Sequence, residues 1–110
     1  MKTVILNGSP RKGGDTAALL AELKKHLSGE IFEIRAFAEN IPPCVDCRAC
    51  KSLGSCVKKD KLQQLLPLLE ECDHILIASP IWMETLPPPL LSIASRLQPY
   101  FYRPNKAPAK

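Results

Sequence analysis

The chain has 110 residues, a formal net charge of +4 and 5% aromatic residues. That length allows one domain with a modest core. The scattered basic charge and the shortage of aromatics argue against a nucleic-acid face and exclude a base-stacking platform.

No apolar stretch approaches membrane-spanning length; the run at residues 75–78, for one, is short. The opening "MKTVILNGSP" lacks a signal-peptide core, because Asn7 and Gly8 interrupt it. A cytoplasmic location with reduced thiols is therefore expected, with no membrane partner, and a structural disulfide framework is not.

In chain order, "TVILN" (residues 3–7) is a β-branched apolar run without polar alternation, the pattern of a strand covered on both faces. Residues 15–27 follow as a helix with Leu20, Leu23 and Leu27 at helical spacing and Asp15 as its cap. "EIFEIRAF" (residues 30–37) alternates, placing Phe32, Ile34 and Ala36 on one face of a more exposed edge strand. Residues 42–57 show no periodicity and read as a loop. Residues 60–71 form a helix with Leu62, Leu65, Leu66 and Leu69 on one stripe, Asp60 as N-cap and a break in the ladder at Pro67. "HILIASP" (residues 74–80) is a second buried-type strand, and residues 88–97 form a helix opened by proline. The order βαβ-loop-αβα is the start of a doubly wound α/β parallel sheet, of which only the first three strands are encoded.

The loop "NGSPRKGGDT" leads from a buried strand into a helix start. It is neither a Walker A loop nor a G-x-G-x-x-G turn. Gly8, Ser9, Arg11, Gly13, Gly14 and Thr16 offer backbone N–H groups, hydroxyls and a guanidinium that would suit a phosphate, although a plain β–α turn explains the same residues.

Four cysteines, Cys44, Cys47, Cys50 and Cys56, stand in the pattern C-x2-C-x2-C-x5-C. Loops that wrap an iron–sulfur cubane use this compact spacing, whereas structural zinc sites separate two C-x2-C knuckles by a longer stretch. Cluster, zinc and no metal stay open on spacing alone. A redox dithiol at Cys47 and Cys50 is disfavoured because that motif belongs at a helix start and this loop carries no helix pattern. Cys72 reads as a small buried apolar residue. His26 and His74 have no partner pattern for nucleophilic chemistry, and Asp46, Glu70 and Glu71 read as solvated charges.

"NGSPRKGGDT", "PPCVDCRACKSLGSCVKKD" and "CDHILIASPIWMETLPPPLLSIASRL" together resemble the flavodoxin-like NAD(P)H-dependent FMN reductase and iron–sulfur flavoprotein family. The resemblance spans nearly the whole chain and implies one flavodoxin-like FMN-binding domain over residues 1–110. It implies an FMN phosphate at Ser9, Arg11, Thr16 and the backbone of Asp15, with the flavin ring along Pro80, Ile81, Trp82 and Met83. It further implies a [4Fe–4S] cluster on Cys44, Cys47, Cys50 and Cys56. The chain departs from the family pattern at Asp15, where asparagine is usual, at Trp82 for tyrosine, and at Leu91 and Ser95 for a lysine and an aspartate. The family continues for two more strands and helices.

The implied function is an FMN-dependent oxidoreductase, or an electron-transfer flavoprotein, taking electrons from a nicotinamide or a ferredoxin-type donor. A non-enzymatic carrier and a cofactor-free fragment are the alternatives. With three strands "HILIASP" becomes an apolar sheet edge that no lysine blunts, so association into a homo-oligomer, or completion by a separate segment, is expected.

Overall fold

The computed structural model describes residues 1–53, 56–58, 60–97 and 100. The basic tail from residue 102 onward lies outside the described residues.

Three parallel strands, β1 (Lys2–Asn7), β2 (Glu30–Arg35) and β3 (His74–Ala78), pair in the order β2-β1-β3. The helices are α1 (Asp15–Lys24), α2 (Ala36–Glu39), α3 (Ala49–Leu53), α4 (Leu62–Glu71) and α5 (Pro88–Ser95). β1 lies between the other two, with Ile5 opposite Glu33 on one side and Leu76 on the other. Its central place explains the unbroken apolar run, for Val4, Ile5 and Leu6 are all buried. This is the doubly wound α/β start expected from the element order, and the flavodoxin-like fold that the family resemblance implies.

Because strand side chains alternate, β1 serves two layers. Val4 and Leu6 join Ile34, Leu62, Leu69, Leu90 and Ile93 in the main core beneath α4 and α5. Ile5 and Leu20 are also buried but stand outside that cluster, which puts α1 over the other face. The stripe expected of α4 is present: Leu62 and Leu69 are buried, and Leu65 and Leu66 pack at the margin. The helix runs through Pro67 and closes with the Cys72 N–H on the Leu68 carbonyl at 3.1 Å. Cys72 is buried as expected. Its Sγ donates to the Leu69 carbonyl, and burial pushes the thiol's pKa up.

The structure corrects several local expectations. β2 ends at Arg35; Ala36, still buried, opens the four-residue α2, which Asn40 closes in the left-handed region (φ 51). α1 stops at Lys24, leaving Leu27 beyond its end and Leu23 38% exposed. Asp15 is the first helical residue and not the cap; Gly14 holds the cap position without any side-chain bond. A short helix, α3, interrupts the cysteine loop. β3 is less buried than its composition suggests, with Ile77 55% exposed, because an edge strand has a neighbour on one side only.

The turn into β2 requires glycine. Gly29 has φ +83, and a Cβ there would fall 2.1 Å from the Met1 carbonyl oxygen, which accepts the Glu30 N–H.

Candidate functional site

The first loop is shaped by its own side chains. Asn7 Oδ1 accepts the Ser9 N–H at 2.9 Å, and Ser9 Oγ accepts the Arg11 N–H at 3.2 Å. These local bonds replace a backbone turn and hold Ser9 buried. Asn7 is fixed in turn, donating from Nδ2 to Glu33 Oε2 at 3.0 Å. Glu33 also pairs with Lys24, and these partners, Lys24 first, hold its carboxyl below the usual carboxylate range. Gly8 donates to the Ala78 carbonyl at 2.8 Å. No side chain fits at Gly8, where a Cβ would fall 2.8 Å from both Leu90 Cδ2 and Ser79 Cβ.

Beyond the loop, α1 begins with open donors. A helix leaves its first N–H groups without intrahelical partners. Here the Ala18 N–H already reaches the Gly14 carbonyl at 3.1 Å, and no side chain caps the N–H groups before it. They form the positive end of the helix dipole, beside Arg11. Ser9, Arg11, Gly14, Asp15 and Thr16 line an open pocket of about 310 Å³, whose far wall is Pro80 and Trp82.

That far wall is a tight turn. Trp82 and Thr85 exchange both backbone hydrogen bonds, each at 2.9 Å, around Met83 (φ 49) and Glu84 (φ 64). Two left-handed central residues define a type I′ turn, a geometry that usually takes Asn-Gly. Holding Met and Glu there costs on the order of 1–3 kcal/mol per residue. The turn begins at Trp82, whose ring packs on Phe37 at 5.7 Å between centroids, tilted by 58°. Trp82 therefore has a ring partner in the protein and still borders the pocket.

Of the four residues expected along the flavin, Pro80 and Trp82 line the pocket, while Ile81 and Met83 are 74% and 95% exposed. All four residues expected at the phosphate line it. The pocket offers helix-start donors, one guanidinium and one aromatic wall, a donor set that fits a phosphate-bearing planar cofactor such as FMN. Asp15 adds a carboxylate to the same lining.

The cysteine loop makes a second pocket, lined by Cys44, Cys47, Cys50 and Cys56 with Ser95 and Arg96 among its other walls. Left-handed Asp46 (φ 56) and Arg48 (φ 63) wrap the chain around it. The Cys44 N–H donates to Ser95 Oγ at 3.0 Å, and Cys44 Sγ accepts the Asp46 N–H at 3.4 Å. Cys50 is the second residue of α3, so the expectation of a helix-free loop is overturned, although α3 spans only five residues. Four thiols on one pocket are the right donor type for an iron–sulfur cluster. Among the described residues, however, no three Cys, His, Asp or Glu side chains stand close enough to hold a metal ion.

Arg96 is 1% exposed. It donates to both Asp60 carboxylate oxygens (2.7 and 3.2 Å), to the Pro42 carbonyl (3.0 Å) and to Cys56 Sγ (3.3 Å). The guanidinium, aided by the Leu62 N–H, holds the Asp60 carboxyl below its ordinary range. Lys61, and not Asp60 as expected, holds the cap position of α4; Asp60 accepts the Leu62 N–H at 3.1 Å and carries an ion pair that the sequence pattern does not reveal. Arg96 and Phe37 were missed by sequence reasoning. An arginine at the end of an otherwise apolar helix was the available sign for the first; a lone phenylalanine after a strand offered none.

The two pockets sit toward opposite ends of α5. Leu90, near its start, bears on Gly8 of the first loop; Ser95 and Arg96, at its end, hold the cysteine loop. Eight helical residues span about 12 Å.

A model of the NADPH-dependent FMN reductase family matches residues 1–107. The chain belongs to that family. It is 33% identical over 108 residues to an iron–sulfur flavoprotein of Archaeoglobus fulgidus, covering 96% of this chain and 49% of that protein. An iron–sulfur flavoprotein of Methanocaldococcus jannaschii is 28% identical over 102 residues, covering 90% of this chain and 53% of the relative. The chain thus spans about half the length of the relatives it matches. The crystal structure of Smu.1420 from Streptococcus mutans UA159 superposes with a TM-score of 0.72 at 21% identity, over 87% of this chain and 52% of that one, and shows the shared fold. Among the described residues no helix is long and apolar enough to cross a membrane.

Proposed function

We propose that this chain binds FMN between the first loop and the Trp82 turn and acts in an FMN-dependent oxidoreductase or electron-transfer flavoprotein. The observation that carries this is the convergence of uncapped α1 donors, Arg11 and Trp82 on one pocket. Family membership and the names of the relatives support the same reading.

Ser9, Arg11, Thr16 and the Asp15 N–H hold the phosphate. The helix dipole and the guanidinium oppose its charge, and the Asp15 carboxylate weakens that attraction. Pro80 and Trp82 flank the ring system, with Phe37 keeping Trp82 in place. When bound, FMN supplies hydride and one-electron chemistry. Cys44, Cys47, Cys50 and Cys56 would hold a [4Fe–4S] cluster, which supplies single-electron exchange. A nicotinamide or a ferredoxin-type protein is the donor. The free edge of β3, with Ile77, Leu19 and Leu23 exposed beside it, is the contact surface for a second copy of the chain.

The absorption spectrum of the isolated protein, followed by fluorescence-quenching titration with FMN, tests the cofactor reading. Saturable quenching supports it; no binding at high micromolar protein overturns it. Anaerobic iron and sulfide reconstitution tests the cysteines. About four irons per chain, reduced by Cys44→Ser, Cys47→Ser, Cys50→Ser or Cys56→Ser, is expected for this cluster type. Stoichiometric zinc without iron uptake points instead to a structural site. NADPH oxidation by the FMN-loaded protein separates a reductase from a carrier.

A further inference from the structure

We propose a second anion site, separate from the pocket between the first loop and the Trp82 turn: a cavity between α1 and the carboxyl ends of β1 and β2, where Arg11, Lys12 and Arg35 hold a phosphate-bearing ligand. The site stands on its own residues, whether or not FMN occupies the first pocket.

Asn7 and Arg35 are the last residues of neighbouring parallel strands and stand in register. In open α/β sheets, ligands collect outside the carboxyl ends of the strands. Here α1 forms one wall, and its Ala17 and Ala21 are too small to fill the space, so a cavity of about 230 Å³ remains. A water takes up about 30 Å³ of liquid, so the cavity has room for a phosphate group and accompanying waters.

The charges around this cavity do not balance. Arg11, Lys12, Lys24 and Arg35 line it against a single carboxylate, Glu33. Glu33 is already engaged: Lys24 pairs with it, and Asn7 Nδ2 donates to it at 3.0 Å. Lys24 first, then Asn7, holds its carboxyl below the usual range, and the charge of Arg35 acts in the same direction. Arg11, Lys12 and Arg35 remain, and among the described residues no carboxylate pairs with them. Three like charges around one cavity repel one another.

Arg35 makes the imbalance specific. The last residue of an edge strand is free to send its side chain into solvent, yet Arg35 is half-buried, and its Nε is buried without a hydrogen-bond partner. An N–H held away from water with no acceptor is unfavourable. An anion in the cavity supplies the countercharge and acceptors that the protein withholds. Phosphate fits better than a carboxylate, because its several oxygens match the planar forks of two arginines, with Lys12 adding a point charge. The same chemistry serves free orthophosphate or a phosphate ester on a larger ligand, such as the 2′-phosphate of NADPH.

Arg11 also lines the first pocket, whereas Lys12 and Arg35 do not, so these two separate the sites. The experiment titrates ¹⁵N-labelled protein with inorganic phosphate at constant ionic strength, chloride balancing, followed by NMR. Saturable shifts of the amides of Ala17, Ala21 and Arg35 are expected, with and without FMN present. Arg35→Gln should weaken phosphate about tenfold and Lys12→Gln about two- to fivefold, with any FMN affinity unchanged. Glu33→Gln should tighten phosphate severalfold by releasing Lys24, a direction that mere loss of structure would not give. Circular dichroism first establishes that each variant is folded. NADPH and NADH are then compared: tighter NADPH binding that Arg35→Gln removes assigns the site to an ester, and equal binding beside saturable phosphate assigns it to free phosphate. The site is overturned if neither phosphate nor NADPH shifts Ala17, Ala21 and Arg35, or if Lys12→Gln and Arg35→Gln leave the affinities unchanged. Should Arg35→Gln not fold, Lys12→Gln and Glu33→Gln decide by their opposite signs. If the protein binds no FMN, the FMN reading fails alone, and the FMN-free titration still decides this site.

Discussion

Gly8→Ala probes whether the first loop is seated on α5 as described. The added methyl would fall 2.8 Å from Leu90 Cδ2 and 2.8 Å from Ser79 Cβ. Carbon atoms pack at about 3.5–4.0 Å, so each neighbour must retreat by roughly 0.7–1 Å. Neither can do so freely. Leu90 is 2% exposed within the main core, and the Ser79 Cβ is tied to backbone that follows β3 directly. Overpacking of this kind costs about 1–3 kcal/mol. Against a total of about 5–15 kcal/mol, that should lower the melting temperature by roughly 5–20 °C. Gly13→Ala is the control in the same loop: no atom lies within 4 Å of its added methyl, so a change below about 0.5 kcal/mol is expected. Urea denaturation followed by circular dichroism measures both, and FMN titration of the folded variants should show weaker binding for Gly8→Ala alone. Equal stability of the two variants, with equal FMN affinity, would refute the packing of the loop on Leu90 and Ser79.

Removing the guanidinium in Arg11→Ala should weaken FMN binding about tenfold or more, and Asp15→Asn should tighten it, both read by fluorescence quenching. A depressed carboxyl pKa contributes stability above its unfolded value, about 4.3, and loses it as pH falls through the lower folded value. Glu33→Gln should therefore cost about 0.5–1 kcal/mol at pH 7, with the gap to the wild type closing as acid titrates Glu33, as urea midpoints at several pH values would show. Ile77→Lys places a charge beside the free edge of β3 and should drive any dimer to monomer in light scattering; an unchanged assembly would move the contact elsewhere.

Much of the fold was legible because periodicity reports burial. The runs at residues 3–7 and 74–78 became parallel neighbours, and the leucine stripe of residues 62–69 became the core face of α4. Boundaries were less legible, since they depend on neighbours distant in sequence. Ala36 fits a strand pattern and a helix start equally well, and tertiary packing chose the second. α3 was missed because five residues are too few to show a helical period. At the site, the first loop announces itself locally, as glycines, hydroxyls and an arginine within ten positions. Arg96 does not, because each of its partners lies between 36 and 54 residues away. Long-range polar bonds leave no periodic trace. The same holds for Phe37, whose role exists only once the turn at residues 82–85 places Trp82 above it.

The two pockets rest on unequal foundations. The cysteine loop is fastened to α5, which shares the main core with α4 through Leu62, Leu69, Leu90 and Ile93. The first loop opens into α1, whose grip on the sheet rests chiefly on Leu20, the one α1 side chain that is fully buried. Local stability follows buried apolar contact, so α1 and the loop before it belong to the weaker half of the molecule. A ligand that binds only the folded loop adds its binding free energy to that half first. FMN would then be part of what holds the α1 layer in place, whereas the cysteine loop is fastened to α5 by the bonds of Ser95 and Arg96.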